Sequence, residues 1–380
     1  MKVLLVSLLT GLLLLLCTPL TFAHKASDSY LRINIEDETI QGQWDIALRD
    51  LELAIGIDGN DDGQITWGEL RIKQEAIEQY ALTRLQFDQR TDSCWSQPQQ
   101  YLIDSHTDGA YAVLSFSVIC PKPISTVEIE YNLLFDIDPL HRGLLYINFD
   151  GHAHTGVFSP EQQSLLFDRT KTSPWSEFLQ FGREGIWHIL IGYDHILFLL
   201  SLLLPAVLYW KHGQWHPHDT FGPVLWAVLK IVTAFTLAHS ITLSLAVLGL
   251  VSLPSRWVES AIAASVLAAA LHNLYPIFRT RLWVMTFIFG LIHGLGFASV
   301  LIDLGLPGQS LALALAGFNV GVEIGQIVIV GVLIPLAFLI RRSWSYQHIV
   351  LSFGSIIIVL VAFLWLLERS MDMNVYMGTW

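Results

Sequence analysis

Ile186-Trp-His188-Ile-Leu-Ile-Gly192-Tyr-Asp194-His195-Ile-Leu-Phe-Leu-Leu-Ser-Leu-Leu-Leu-Pro-Ala-Val-Leu-Tyr209 carries a single carboxylate and neither lysine nor arginine. Read as a helix rising ~1.5 Å per residue, it is long enough to cross a hydrocarbon layer ~30 Å thick. Five further stretches downstream read the same way: Ile231 to Val251, Trp257 to Phe278, Leu282 to Ile302, Leu311 to Ile340 and His348 to Leu367. The expectation is an all-α polytopic membrane bundle of about six helices over residues 186–367, its fifth span overlong with Pro335 inside it. Whole-chain composition agrees, since 53% of residues are hydrophobic, 14% are charged and the mean hydropathy is +0.51, well outside the soluble norm.

Outward from the bundle, residues Met1 to Ala23 read as an export signal: Lys2, the apolar run Val3 to Leu16, and Thr21-Phe22-Ala23 as a small-residue cleavage site. The mature chain then begins at His24 with an extracytoplasmic domain of residues 24–180. The basic loops Lys211 to Lys230, Arg279 to Arg281 and Arg341-Arg342 fall inside the cell, and residues 368–380 form an extracytoplasmic tail. The localisation expected is a multi-pass cell-membrane protein whose N-terminal domain is extracytoplasmic, periplasmic in a Gram-negative cell. The net charge of −12 belongs mostly to the front half. With no basic groove, the partners expected are the lipid bilayer and a metal ion, and no nucleic acid.

Within the exported domain, Tyr30 to Ile35, Gln41 to Leu48, Ala110 to Ile119, Thr126 to Phe135 and Leu144 to Phe149 read as strands, and their spacing predicts a mainly β, sandwich-like fold. A helix over roughly Gly68 to Leu85 interrupts it. That helix follows residues 58–69, an EF-hand-like loop. Asp58, Asn60 and Asp62 stand at positions one, three and five, the Gln64 carbonyl at seven, Thr66 at nine and Glu69 at twelve, with Gly63 at the turn; these oxygens suit Ca2+. The alternative is an Asp/Asn-rich turn capping a helix. Cys94 and Cys120, in an oxidising compartment, are expected to pair as a disulfide. His24, with its terminal amine, and His152 with His154 form a weaker exported metal site.

Ionisable groups inside membrane spans are expensive and point to function. Here they include His188, Asp194 and His195 in the first span, His239 in the second, Glu259 and His272 in the third, His293 in the fourth and Glu323 in the fifth. Imidazole with carboxylate support suits Ni2+, Co2+ or Zn2+. Helical spacing puts His188, Gly192 and His195 on one stripe. Gly290 with Gly294, and Gly317, Gly321 and Gly325, recur in four-residue steps that let backbones approach. The other use of such side chains is interhelical hydrogen bonding.

His188-Ile-Leu-Ile-Gly192-Tyr-Asp194-His195 resembles the first-helix signature of the HupE/UreJ membrane proteins, His-Pro-x-x-Gly-x-Asp-His, with Ile189 in place of the proline. His293-Gly294 resembles part of a second signature whose following glutamate is absent here. The similarity covers about residues 180 to 367 and is closest to the branch with a large exported domain. It implies a nickel or cobalt permease with His188, Asp194 and His195 as metal-related residues; His239, His293 and Glu323 rest on the reading of the spans themselves. Three functions stay open at this point: a metal permease, an intramembrane zinc-dependent hydrolase of a lipid or peptide using Ser240 and Asp194, and a membrane-anchored interaction scaffold. Buried polar groups in several separate spans make the scaffold the least favoured, and polar groups continuing inward, His272-Asn273 and the histidines of the loop after Lys211, lean toward the permease.

Overall fold

The computed structural model describes residues 27–89, 92–106, 109–149, 152–169, 174–277, 282–304, 306 and 308–371. The export signal, His24 and the tail beyond 371 lie outside these residues. The described chain forms two compact units, one from residues 24–180 with Ser299–Leu313, the other from Phe181–Ala298 with Ala314–Trp380.

The first unit is built on two sheets. Strands β1 (Asp28–Glu36), β2 (Thr39–Ala47), β5 (Trp95–His106), β6 (Gly109–Ile119), β8 (Arg142–Phe149) and β9 (His152–Phe158) form one sheet in the order β5-β6-β2-β1-β8-β9. Strands β3 (Leu85–Gln89), β4 (Asp92–Ser93), β7 (Thr126–Tyr131) and β10 (Ser164–Asp168) form the other, in the order β10-β7-β3-β4. Neighbours are antiparallel except β1 and β8, which run parallel with Asp28 opposite Arg142, so the first sheet is mixed. Alternation drives the packing: Leu31, Ile33 and Ile35 of β1 turn inward and share one hydrophobic cluster with Trp44, Phe116, Phe87 and Ile129 from both sheets. Cys94 and Cys120 are joined by a disulfide.

Helix α1 (Leu48–Ile55) and helix α2 (Trp67–Leu82) flank the acidic loop. Leu70, Ile77 and Ala81 bury one stripe of α2, while Thr66 and Glu69 exchange side-chain and backbone hydrogen bonds at its start, a reciprocal cap that satisfies otherwise orphaned amides.

A buried ion-pair ring also belongs to this unit. The His106 imidazole lies 3.3 Å from Asp45 through Nε2 and 3.2 Å from Asp303 through Nδ1, and Arg32 reaches both Asp45 and the Asp303 carbonyl. Tyr30 stacks on the ring at 5.1 Å. Burial alone would lower the His106 pKa, but the two carboxylates outweigh it and push it up to about 9. Asp303 lies on helix α8 (Ala298–Leu304), far along the chain from its partners.

In the second unit, helices α3 (Pro174–Ile191) and α4 (Tyr193–Ala206) meet at a 67° bend. A hairpin, β11 (Leu208–Lys211) and β12 (Gln214–Pro217), leads to α5 (Phe221–Val247), α6 (Ser255–Leu274), α7 (Leu282–His293), α9 (Gly308–Ile340) and a closing helix, α10, whose first turns over Tyr346–Phe353 are π-helical before Gly354–Met371. Among the described residues, four helices are long and apolar enough to cross a membrane, and the bent pair gives up to five crossings. This differs from the six single helices expected. The stretch read as a fourth span is the 12-residue α7, at ~1.5 Å per residue shorter than a bilayer core, followed by the turn in which Gly296 N donates to the His293 carbonyl at 3.0 Å, and then by α8. Two glycines within three residues, Gly294 and Gly296, make the continuation of a helix there costly.

Candidate metal centre in the helical unit

The bend at Gly192 organises the centre. In a straight helix His188 and His195 would stand about 10 Å apart along the axis; across the bend their ring centroids are 4.6 Å apart. The chain turns because Gly192 takes an extended ψ of 102° while Ile196 N still donates to its carbonyl at 2.9 Å. Glycine is required by crowding, since a Cβ here would sit 2.6 Å from the His188 carbonyl oxygen and 2.9 Å from His195 Nδ1. The shared stripe expected on one helix is therefore replaced by two helix ends facing each other.

Close backbone packing brings the other helices in. At Gly321 of α9 a Cβ would collide with the Gly182 carbonyl of α3, and at Gly294, after α7, with the His239 carbonyl of α5. These contacts set His239 and His293 beside the bend. His195, His239 and His293 are buried, and Phe235, Phe297 and Phe318 pack around the imidazoles.

Two overlapping groups result. His188, His195 and His239 bring ligand atoms within 4.8 Å of one another, and so do Asp194, His195 and His293. His195 is common to both. Its Nδ1 lies 3.0 Å from Asp194 Oδ1, His239 Nδ1 lies 3.4 Å from Asn319 Oδ1, and His293 Nε2 lies 2.9 Å from Ser265 Oγ. Three nitrogens remain buried without a hydrogen-bond partner: His195 Nε2, His239 Nε2 and His293 Nδ1.

Glu323 belongs to neither group. It accepts from Thr233 at 2.9 Å, while its Oε2 is buried and unpartnered. Ser240 donates to the Thr236 carbonyl of its own helix at 2.7 Å, so its hydroxyl proton is engaged there. Ser265 was not singled out as a site residue from the sequence. A serine in an apolar helix ordinarily bonds its own backbone, and only the packing of α6 against α7 reveals the second contact.

In the exported unit, Asp58 Oδ2 accepts from Gly63 N at 2.8 Å, Asn60 Oδ1 from Asp62 N at 2.9 Å, and Asp62 Oδ1 from Gln64 N at 2.8 Å. Glu69 accepts from Thr66 N at 2.8 Å and Gly59 N at 2.9 Å, and the Thr66 hydrogen bonds hold its carboxyl below the usual range. Gly63 takes a φ of +78°, a conformation that favours glycine. His152 and His154 stand opposite Phe149 and Ile147 in β9; the His152 side chain lies outside the described residues, and among those described His154 enters no metal-sized group.

A search of the curated proteins finds no match. A family model described as HupE / UreJ protein matches residues 162–369. That match spans more than half of the chain and every helix that supplies the centre, so the chain belongs to the HupE / UreJ family of membrane proteins, a family associated with nickel and cobalt uptake.

Proposed function

We propose that this protein is a permease for a divalent transition metal, nickel or cobalt, with His188, Asp194, His195, His239 and His293 as the groups that meet the ion on its way across the bilayer. The observation that carries the reading is the set of three buried, unpartnered imidazole nitrogens shared between two overlapping ligand groups. A buried polar atom without a partner costs about 1–3 kcal/mol, and an ion accepting those lone pairs removes that cost. Imidazole nitrogens with one carboxylate favour cations of intermediate softness over calcium or magnesium, which seek oxygen. Sharing His195 gives the ion a way to pass from one group to the other without losing all its ligands. Glu323, with Thr236 donating to Gln326 at 3.0 Å nearby in sequence, supplies further polar steps.

The export signal delivers residues 24–180 outside, the 12-residue α7 lies in the bilayer as a short sixth segment, and the acidic loop Asp58–Glu69 holds structural Ca2+. The Asp58 and Gly63 hydrogen bond supports that last point, because it draws the loop into the turn such a site needs. A zinc hydrolase is disfavoured by the engagement of the Ser240 hydroxyl with its own helix.

The test is entry of Ni2+ or Co2+ into proteoliposomes containing a trapped fluorescent chelator. Entry should be lost in His195→Ala and in His239→Ala; entry indifferent to both substitutions would sink the permease reading.

A further inference from the structure

Each of the three buried histidines has one ring nitrogen engaged by the protein, and in each case the partner's own chemistry decides where the imidazole proton sits. Asp194 presents a carboxylate, which only accepts when ionised, so a neutral His195 at 3.0 Å donates from Nδ1. Asn319 is oriented by its Nδ2, which donates to the Leu315 carbonyl at 2.8 Å. Its Oδ1 therefore faces His239 and accepts from Nδ1. Ser265 has a single hydroxyl proton, and the Ile262 carbonyl lies 2.7 Å from its oxygen as acceptor. With that proton committed, Ser265 Oγ can only accept from His293 Nε2.

The three leftover nitrogens are His195 Nε2, His239 Nε2 and His293 Nδ1, and each of them is buried without a hydrogen-bond partner. The three tautomers and the three orphan lone pairs thus agree, although they come from independent contacts on α4 itself, α9 and α6.

We propose that Asn319 and Ser265 are positioning residues that fix His239 as the Nδ1–H tautomer and His293 as the Nε2–H tautomer, so that cation ligation is by His239 Nε2 in one group and His293 Nδ1 in the other, with His195 common to both. This rests on the metal-centre reading above and deepens it. Partners of this kind orient the ring and raise its basicity, and their loss typically weakens metal affinity roughly 10- to 100-fold.

The test uses the full-length protein in lipid. Histidine 15N spectra, with resonances assigned through His239→Asn and His293→Asn, report which nitrogen carries the proton, and Co2+ titration followed by visible absorption reports affinity. The expected result is Nδ1–H at His239 and Nε2–H at His293, with Co2+ shifting the bare nitrogen of each. Ser265→Ala and Asn319→Leu should mix the tautomers and weaken Co2+ binding roughly 10- to 100-fold, while Ser265→Thr, which keeps the acceptor oxygen, should bind as the parent does. Opposite tautomers in the parent protein overturn the proposal. So does Ser265→Thr failing as badly as Ser265→Ala, which would reduce the effect to packing. Parent-like affinity in both Ser265→Ala and Asn319→Leu removes the positioning role and leaves the metal centre standing. Parent protein that binds neither Co2+ nor Ni2+ removes the metal centre, and the proposal with it.

Discussion

Replacing Gly192 by alanine should cripple metal binding while leaving both units folded. The backbone there, at φ −63° and ψ 102°, is open to any L-residue, so the penalty comes from contacts alone. The new methyl would lie 2.6 Å from the His188 carbonyl oxygen, 2.9 Å from His195 Nδ1 and 3.2 Å from Asp194 Oδ1. Turning the His195 ring aside would break its hydrogen bond to Asp194; opening the 67° bend would draw His188 and His195 apart. Alanine's higher helix propensity also favours the straighter chain, by up to about 1 kcal/mol. Overpacking of this kind costs about 1–3 kcal/mol. If that cost is met in the ion-bound geometry, at 1.4 kcal/mol per decade it weakens Kd roughly 5- to 150-fold. The assay is Co2+ titration of full-length protein in detergent, with far-UV circular dichroism to establish that helix and strand content are retained. A Gly192→Ala protein with parent-like affinity and circular dichroism would refute the argument that the bend assembles the centre.

Three further outcomes are expected. Because the Cys94 to Cys120 link closes a loop with a sequence separation of 26, its removal by a paired Cys→Ala substitution should cost about 3.5 kcal/mol on the chain-entropy estimate, read as a lower urea midpoint; an unchanged midpoint would contradict it. With a folded pKa pushed up to about 9, His106 contributes stability that is fully present below its unfolded pKa of about 6.5 and lost as pH rises through the folded value. Urea midpoints should therefore fall between about pH 6.5 and 9 in the parent but less so in His106→Gln, and parallel profiles would dismiss the ion-pair ring as the cause. Millimolar Ca2+ should raise the thermal midpoint of the first unit, with stabilisation of about 2.7 kcal/mol at a hundredfold excess over Kd; Glu69→Gln should abolish the rise, and a calcium-indifferent parent would leave the loop as a helix cap only.

Long apolar runs and strict alternation are local properties, so a β-rich front and an apolar helical rear could be read from residue order, whereas the parallel pairing of β1 with β8 could not. Charges that have no business in a bilayer drew attention to His188, Asp194, His195, His239 and His293, which the structure does bring together, and also to Glu323, which instead pairs with Thr233. Composition cannot separate those cases, because an intramembrane carboxylate is equally expensive wherever its partner lies. Nor could periodicity find the 67° bend, since His188 and His195 two turns apart satisfy a straight stripe and a broken one alike. The 12-residue α7 reads as part of a longer span because the break at Gly294 to Gly296 is itself apolar. Ser265 was hidden for a related reason: its second contact is to a helix 28 residues away in sequence, and hydrogen-bond geometry across helices has no local signature. Residue order determined which side chains are too polar for their surroundings; the close approach of helix backbones at glycine decided which of them share one site and which nitrogens are left free.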